Sequence, residues 1–552
     1  MKAIIVFLAV LSVYQMSAQN FAWQWAASLP TDEGMNDAMV WNDASGNVYA
    51  SASYYGSELT VGTYTLQNST PFTENIALVK YDSEGAILWA KGFGSAGTDR
   101  FTSAVCDSEG NTILSGTTNS ASLELDGFVV VPVGGFDSFI AKLDPEGNVL
   151  WVESFGGASN DFLRPLKLDA NDNIYVTGYF YSPTLILDDF SIPNTGSPDM
   201  FLAKLDDGGT AQWAFGLTGD VFSSEIPTSI AVSAAGQCLI SGTFSTDIGI
   251  GPFSLSPAGN SDAFLSLVST EGSVQWAQAL QSASYENIID VEFVNEERFF
   301  CAGWFEGAEF MIGNQTLLNE GTEGSDVFLA SFQINGTPDW AISAGGVDND
   351  NSPYITMADN TCFLAMGFES PTLAIGDYVF INSGDEDVCF AQIDITGEVL
   401  WAGTIGGVSD EFCNSISTDN DGNVYVGGSF RSDQLNFGNH ELLNESEFGN
   451  HVFLAKLAEI PARVPELLNQ EAVTLFPNPC IDVLNITFST RIDSPAHGEV
   501  FSRDGRLVHS FQCGKSGSSF VFDTSHLAPG LYTLSIRNTD GAESRQRFLI
   551  AR

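Results

Sequence analysis

Seven tryptophans, Trp25, Trp89, Trp151, Trp213, Trp276, Trp340 and Trp401, recur 61 to 64 residues apart, each within a short apolar run. A typical run is Val399-Leu400-Trp401-Ala402, followed by Gly406-Gly407. Before each run but the first lies a second, such as Asp137-Ser-Phe-Ile-Ala-Lys-Leu-Asp144, joined to it by a turn such as Asp144-Pro-Glu-Gly-Asn148. Such Gly-containing turns are hairpin chemistry. After each tryptophan come two more runs, for example Leu166-Lys-Leu-Asp169 and Asn173-Ile-Tyr-Val-Thr-Gly178. The pattern predicts four short strands per unit, alternating or wholly apolar.

Four antiparallel strands repeated at this period predict an all-β, seven-bladed β-propeller, because stacking the sheets radially buries faces that a lone sheet would expose. A β-solenoid is the rival, but its periods are shorter. The ends of the array are complementary. Phe21-Ala-Trp-Gln-Trp25 matches a fourth strand with nothing before it, and His451-Val-Phe-Leu-Ala-Lys-Leu457 matches a third with nothing after it. One composite blade, closed by the N-terminal strand, satisfies both. Between the second and third strands each unit also carries a small hairpin arm, as in Leu185-Ile-Leu-Asp-Asp-Phe190. These arms vary among units and are the first place to expect recognition.

Composition narrows the functions. The chain has 20 Lys+Arg against 69 Asp+Glu, a formal net charge of −49. That excludes nucleic acid and anionic lipid surfaces as natural partners, since both require basic contacts. Residues 1–18 read as a Sec signal peptide. Lys2 is the charged start, Ala3 to Val13 is an apolar stretch too short to span a bilayer, and Ser17-Ala18 precedes the cut. No later segment is a transmembrane candidate. The eight cysteines do not recur at one place in the repeat. Cys238, Cys301, Cys362 and Cys389 sit in apolar runs as core thiols, and Cys480 with Cys513 is the pair to test for a disulfide.

The period breaks at Pro461 and Pro465, so the domains read as 19–457, a linker at 458–472, and 473–552. The last stretch holds 8 Lys+Arg and 7 Asp+Glu, a net of +1, which leaves −50 for everything before it. Its short alternating strands predict a small β-sandwich.

Two resemblances follow. The units, with D-x-x-G-N-V-Y-V-x-G as at Asp419 to Gly428, then D-x-F-L-A-K-L-D and V-L-W-A-x-x-x-G-G, resemble the bacterial SBBP-type β-propeller repeat over residues 21–457. The C-terminal 80 residues, with Phe476-Pro-Asn-Pro479, Gly498 to Val508 and Leu527 to Ile536, resemble the type A sorting domain of the type IX secretion system. That resemblance implies the secretion machinery as partner through residues 473–552, a secreted or cell-surface location, and removal of the tail, often with lipopolysaccharide attachment.

One acidic or amide position recurs at the entry to each first strand: Asn36 or Asp37, Asp99, Asp161, Glu225, Asn287, Asn351 and Glu411. Asp99, Asp161, Glu225 and Glu411 could ring the axial opening as oxygen ligands for Ca²⁺. The alternative, preferred because it needs no cooperation between units, is that each residue caps its own turn. Asp419-Asn-Asp421-Gly422 lacks the spacing of a calcium loop and reads as a turn. His440, His451, His497, His509 and His526 read as scattered surface or turn positions, and the tryptophans as core rather than sugar-stacking platforms. No nucleophile, zinc, phosphate-loop or dinucleotide motif appears. The reading that results is an exported binding scaffold for a glycan or protein. Its alternatives are a polysaccharide hydrolase or lyase using axial carboxylates, and a surface-layer component without a discrete ligand.

Overall fold

The computed structural model describes residues 20–29, 35–68, 70–195, 198–219, 226–321, 324–358, 360–444, 449–460, 473–488, 496–502, 506–513, 519–537 and 543–551. The leader (1–18), most of the linker and Glu225 lie outside them, as do the side chains of Asn36, Asp37 and Cys513. The described residues are all β, with no helix. They divide into two compact units, Phe21–Glu459 and Ile460–Arg552.

The larger unit repeats one four-stranded antiparallel sheet seven times. Sheets 1 to 6 span 35–93, 99–155, 161–217, 226–280, 286–344 and 350–405. Sheet 7 combines Glu411–Thr418, Val424–Phe430 and His451–Ile460 with the N-terminal strand Asn20–Leu29, which takes the fourth place beside His451–Ile460. The two middle strands of a sheet read as continuous apolar runs because both their faces are covered. Val48–Tyr54 and Asn75–Tyr81 are buried at every position. The cores lie between neighbouring sheets. Trp41 and Tyr49 of sheet 1 pack with Phe101 and Phe139 of sheet 2, and Tyr425 and Val452 of sheet 7 pack with Val48 and Tyr81 of sheet 1. First strands pack in succession from Met35–Asn42 through to Glu411–Thr418, which itself packs on Met35–Asn42. The arrangement is propeller-like.

The seven repeat tryptophans pack against the buried clusters as expected, but none is fully enclosed. Each is half-buried on a fourth strand, and all but Trp401 reach to the hairpin between third and fourth strands of the next sheet. The indole N–H of Trp25 donates to the Ser83 carbonyl (3.1 Å), Trp89 to Pro145 (3.0 Å), Trp213 to Thr270 (2.9 Å), Trp276 to Ile334 (2.8 Å) and Trp340 to Ile395 (2.8 Å). The same hairpins present a glycine at positive φ to the ring. A Cβ on Gly85 would lie 2.8 Å from the Trp25 indole, and one on Gly272 would lie 2.8 Å from that of Trp213. These turns therefore need glycine twice over, for conformation and for approach.

In sheets 1, 3 and 6 both edges are also occupied. All seven first strands carry a β-bulge. Beyond several bulges a backbone N–H is taken by the preceding sheet: Val40 by Ser415 Oγ (2.7 Å), Leu166 by Ser103 Oγ (3.3 Å) and Ile355 by Asp290 Oδ2 (3.0 Å). At the outer edge lie seven two-stranded arms. Several bond backbone groups of the fourth strand in their own unit. Tyr64 donates to the Leu88 carbonyl (2.9 Å) and Tyr378 to Leu400 (3.2 Å), while Asp188 accepts from Ala211 N–H (2.7 Å). The arms thus cover edges that would otherwise be open to strand addition.

In the smaller unit, a three-stranded and a four-stranded sheet share a core of Leu484, Ile486, Val500, Phe522, Leu534 and Phe548. Cys480 is a buried free thiol, like Cys238, Cys301, Cys362, Cys389 and Cys413.

Candidate functional site

The recurring acidic position is the first residue of the first strand. Asp99 is fully buried and accepts from Ser95 N–H (2.7 Å), Thr118 Oγ1 (2.5 Å) and Ser120 Oγ (3.0 Å). Asp161 accepts from Ser182 Oγ (2.6 Å) and Ser182 N–H (3.1 Å). Glu411 accepts from Gly407 N–H (2.6 Å) and Ser432 N–H (3.4 Å). Asn287 and Asn351 do not hold this position, which belongs to their neighbours Glu286 and Asp350. Glu286 accepts from Ser282 N–H (2.9 Å) and Asp350 from Gly346 N–H (2.7 Å). The cause is strand length. The first strands of sheets 5 and 6, Glu286–Asn295 and Asp350–Ala358, are longer than Asp161–Leu168. Counting back from their ends therefore lands one residue late and on the other face.

Burial pushes four of these carboxyls up: Asp99, Glu286 to about 7, and Asp350 and Glu411 to about 6. Beside them, burial and then the Glu369 and Asp410 carboxylates push Glu386 up to about 8, and burial pushes Asp326 up to about 7. Asp99, Asp350 and Glu411 each accept from a backbone N–H of the segment that leads into the strand and from a serine just after the second strand. Among the described residues, no three His, Cys, Asp or Glu side chains gather as a metal site. The histidines depart from expectation in two places. His451 is buried at the head of its strand, and the His509 and His526 rings lie 4.8 Å apart in the smaller unit.

The first strands together line a cavity of about 340 Å³. Its lining combines small hydroxyls, apolar side chains and the amides Asn42 and Asn414 with the charged Lys167, Asp290 and Glu292. Lys167 of sheet 3 pairs with Glu292 of sheet 5, across the place where sheet 4 carries the buried Ala231. Burial opposes the charge on Lys167, but Glu292 and Asp290 outweigh it and hold the ammonium above the usual lysine range. Asp290 is itself pushed up to about 6 by burial and then by Glu292. It accepts from Ser229 Oγ (2.8 Å) and from the N–H groups of Val291 (2.9 Å) and Ile355 (3.0 Å), and so ties three sheets together. Lys167, Asp290 and Glu292 were missed in the sequence. The available signal was a charge at a strand position held by Val105 in sheet 2 and Ala231 in sheet 4.

Against known proteins, residues 474–551 match the secretion system C-terminal sorting domain. This tail is a type IX sorting domain, which marks the chain for secretion to the cell surface and for contact with the secretion machinery. The chain is also 22% identical to an uncharacterized WD repeat-containing protein of Acanthamoeba polyphaga mimivirus, over 63% of this chain but 31% of that protein. It thus spans about a third of that relative's length. Among solved structures, a protein of unknown function from Dyadobacter fermentans shows a TM-score of 0.40 at 9% identity, covering 80% of this chain and 99% of the other. The phage phi92 endosialidase shows 0.37 at 9% identity, covering 97% and 87%. No helix among the described residues is long and apolar enough to cross a membrane.

Proposed function

We propose that this chain is an exported seven-bladed propeller of the SBBP repeat type, closed by its N-terminal strand, that acts at the cell surface as a binding scaffold for a glycan or protein partner. A cleaved leader at 1–18, a propeller at 19–457 and a sorting tail at 473–552 complete the reading. Closure is supported by the pairing of Asn20–Leu29 with His451–Ile460 and by the core that Tyr425 and Val452 share with sheet 1. The observation that carries the binding role is the cavity to which the first strands of all seven sheets contribute. A concave site with a few fixed polar groups is the ordinary form of a ligand pocket. The reading does not include a Ca²⁺ ring at Asp99, Asp161, Glu225 and Glu411, because the first, second and fourth of these already accept hydrogen bonds from neighbouring protein groups.

The test is a glycan and protein binding screen on residues 19–552, run beside an assay for released sugar. Binding without product supports the scaffold, and failure to bind any ligand overturns it. One observation favours the hydrolase or lyase alternative, the Asp290 and Glu292 carboxylates beside Lys167. Released oligosaccharide that disappears in Glu292→Gln would establish it instead. Export is tested separately, since removal of 473–552 should retain the chain inside the cell.

A further inference from the structure

Ten lysines and arginines lie in Phe21–Glu459. Eight of them pair with a carboxylate, and Lys456 donates to the Ser83 carbonyl (3.1 Å). Arg164 alone has neither kind of partner among the described residues, and its Nε is buried without an acceptor. A cation left unpaired in so acidic a chain is unexpected, because partners are abundant and a buried unsatisfied donor is destabilising. Arg164 also sits where a strand is reshaped, in the bulge between Leu163 and Leu166. Bulges of this kind re-aim side chains beside sites. Its neighbours Pro165 and Leu166 line the axial cavity.

Around Arg164 runs a ladder of half-exposed rings. Its guanidinium lies over Tyr179, 5.2 Å from the ring centre. Tyr179 is 5.1 Å from Phe162 and 6.1 Å from Tyr181, and Phe162 is 5.9 Å from Phe136. Tyr181 is 42% exposed. Stacking on an aromatic face fixes the plane of a guanidinium and leaves its outer edge free for two parallel hydrogen bonds to a carboxylate.

We propose that this rim of sheets 2 and 3 is a saccharide subsite that selects a sugar carrying a carboxylate, of the uronic acid class. Arg164 takes the carboxylate in a bidentate pair, and Tyr181, with the edge of Tyr179, offers apolar ring surface to the face of the pyranose. One anionic group on one ring matches one unpaired cation. A densely charged polyphosphate would meet the chain's net charge of −49 with no further free cation among the described residues of Phe21–Glu459. The assignment rests on the scaffold reading and gives it a ligand class.

The experiment is calorimetric titration of residues 19–552 with oligogalacturonate, a neutral galactan oligosaccharide of the same length, and a sugar phosphate. Oligogalacturonate should bind at least ~10-fold more tightly than the other two. Arg164→Gln should lose ~10-fold or more with an unchanged thermal midpoint, Arg164→Lys should recover only part because it lacks the fork, and Tyr181→Ala should weaken every bound sugar. Native binding that survives Arg164→Gln overturns this site alone. Equal affinity for the neutral sugar or the sugar phosphate overturns the carboxylate assignment. A native chain that binds none of the three overturns the subsite, and the screen of other ligands then decides the scaffold reading separately.

Discussion

Sheet 7 and the six sheets before it solve one problem in two ways. In sheets 1 to 6 the third and fourth strands are joined by a hairpin, and that hairpin also receives the indole of the preceding sheet, as at Ser83 and Gly85. Sheet 7 has no such hairpin, because its fourth strand comes from the other end of the chain. Trp401 therefore meets a ring where its counterparts meet a turn, with Phe21 centred 5.1 Å away. Phe21 is also 5.5 Å from Phe363, and Trp23 lies 5.4 Å from Phe390 and 4.9 Å from Phe437. Aromatic packing does for the discontinuous sheet what covalent continuity and a glycine do for the others. The difference shows that a strand can be recruited from a distance if its side chains supply the contacts a turn would have fixed.

The comparison is broken most directly by removing the recruited strand. Deletion of residues 19–30 should lower the thermal midpoint by on the order of 10 °C or abolish cooperative unfolding, since several large aromatic side chains lose their cover. An unchanged midpoint in calorimetry would refute closure by this strand. Next in size, Trp25→Ala should cost about 3 kcal/mol and Trp401→Ala about 2 kcal/mol in denaturant unfolding, because only the first also loses an indole hydrogen bond. Equal losses would mean that the hairpin carbonyl contributes nothing.

Acidity sharpens the contrast differently. The raised carboxyls Glu286, Asp326, Asp350, Glu386 and Glu411 belong to sheets 5 to 7. With native values of about 6 to 8, above those of an unfolded chain, the folded state binds more protons in that window, so stability falls as pH rises from 5 to 8. Asp107 and Asp169 are held low despite their burial by hydrogen bonds, including those of Asn111 and Asn173, and by Lys142 and Lys204. They act in the opposite sense and lose their contribution only below the usual carboxylate range. A thermal midpoint higher at pH 5 than at pH 8 is expected, and the reverse order would contradict these environments. The smallest effect belongs to the inner edge. Ser103→Ala, which removes the acceptor for Leu166 N–H, should cost about 1 kcal/mol, measurable as a shifted denaturant midpoint at unchanged slope.

Much of this fold is written in short-range pattern. The four-strand unit, its hairpin turns and the missing strand at each end are visible because alternation and turn glycines are local signals. The sorting tail is legible for the same reason. What the pattern hides is which sheet a side chain serves. Trp25 looks like core from its own strand, and only the geometry between sheets shows it bound to Ser83. Strand ends are similarly silent, so Asn287 and Asn351 stand in for Glu286 and Asp350. The arms looked like recognition elements because they vary, yet Asp188 and Tyr378 show that part of their sequence serves the fourth strand. Arg164 was invisible for a different reason, since lacking a partner is a property of the folded surroundings.

The indole links and the bulge links between sheets recur in one direction along the chain. Trp25 of sheet 7 reaches sheet 1, Trp89 of sheet 1 reaches sheet 2, and Ser415 of sheet 7 reaches Val40 of sheet 1. Such joints are heterologous, each sheet having a head that fits only another's tail. An array of this kind has no internal reason to stop at seven, and on the proposed closure it is finite because its last tail finds its own first head. A copy denied that meeting would carry one unmatched head and one unmatched tail, complementary to those of every other opened copy. On the proposed closure, the failure mode to expect of an opened copy is a directional filament.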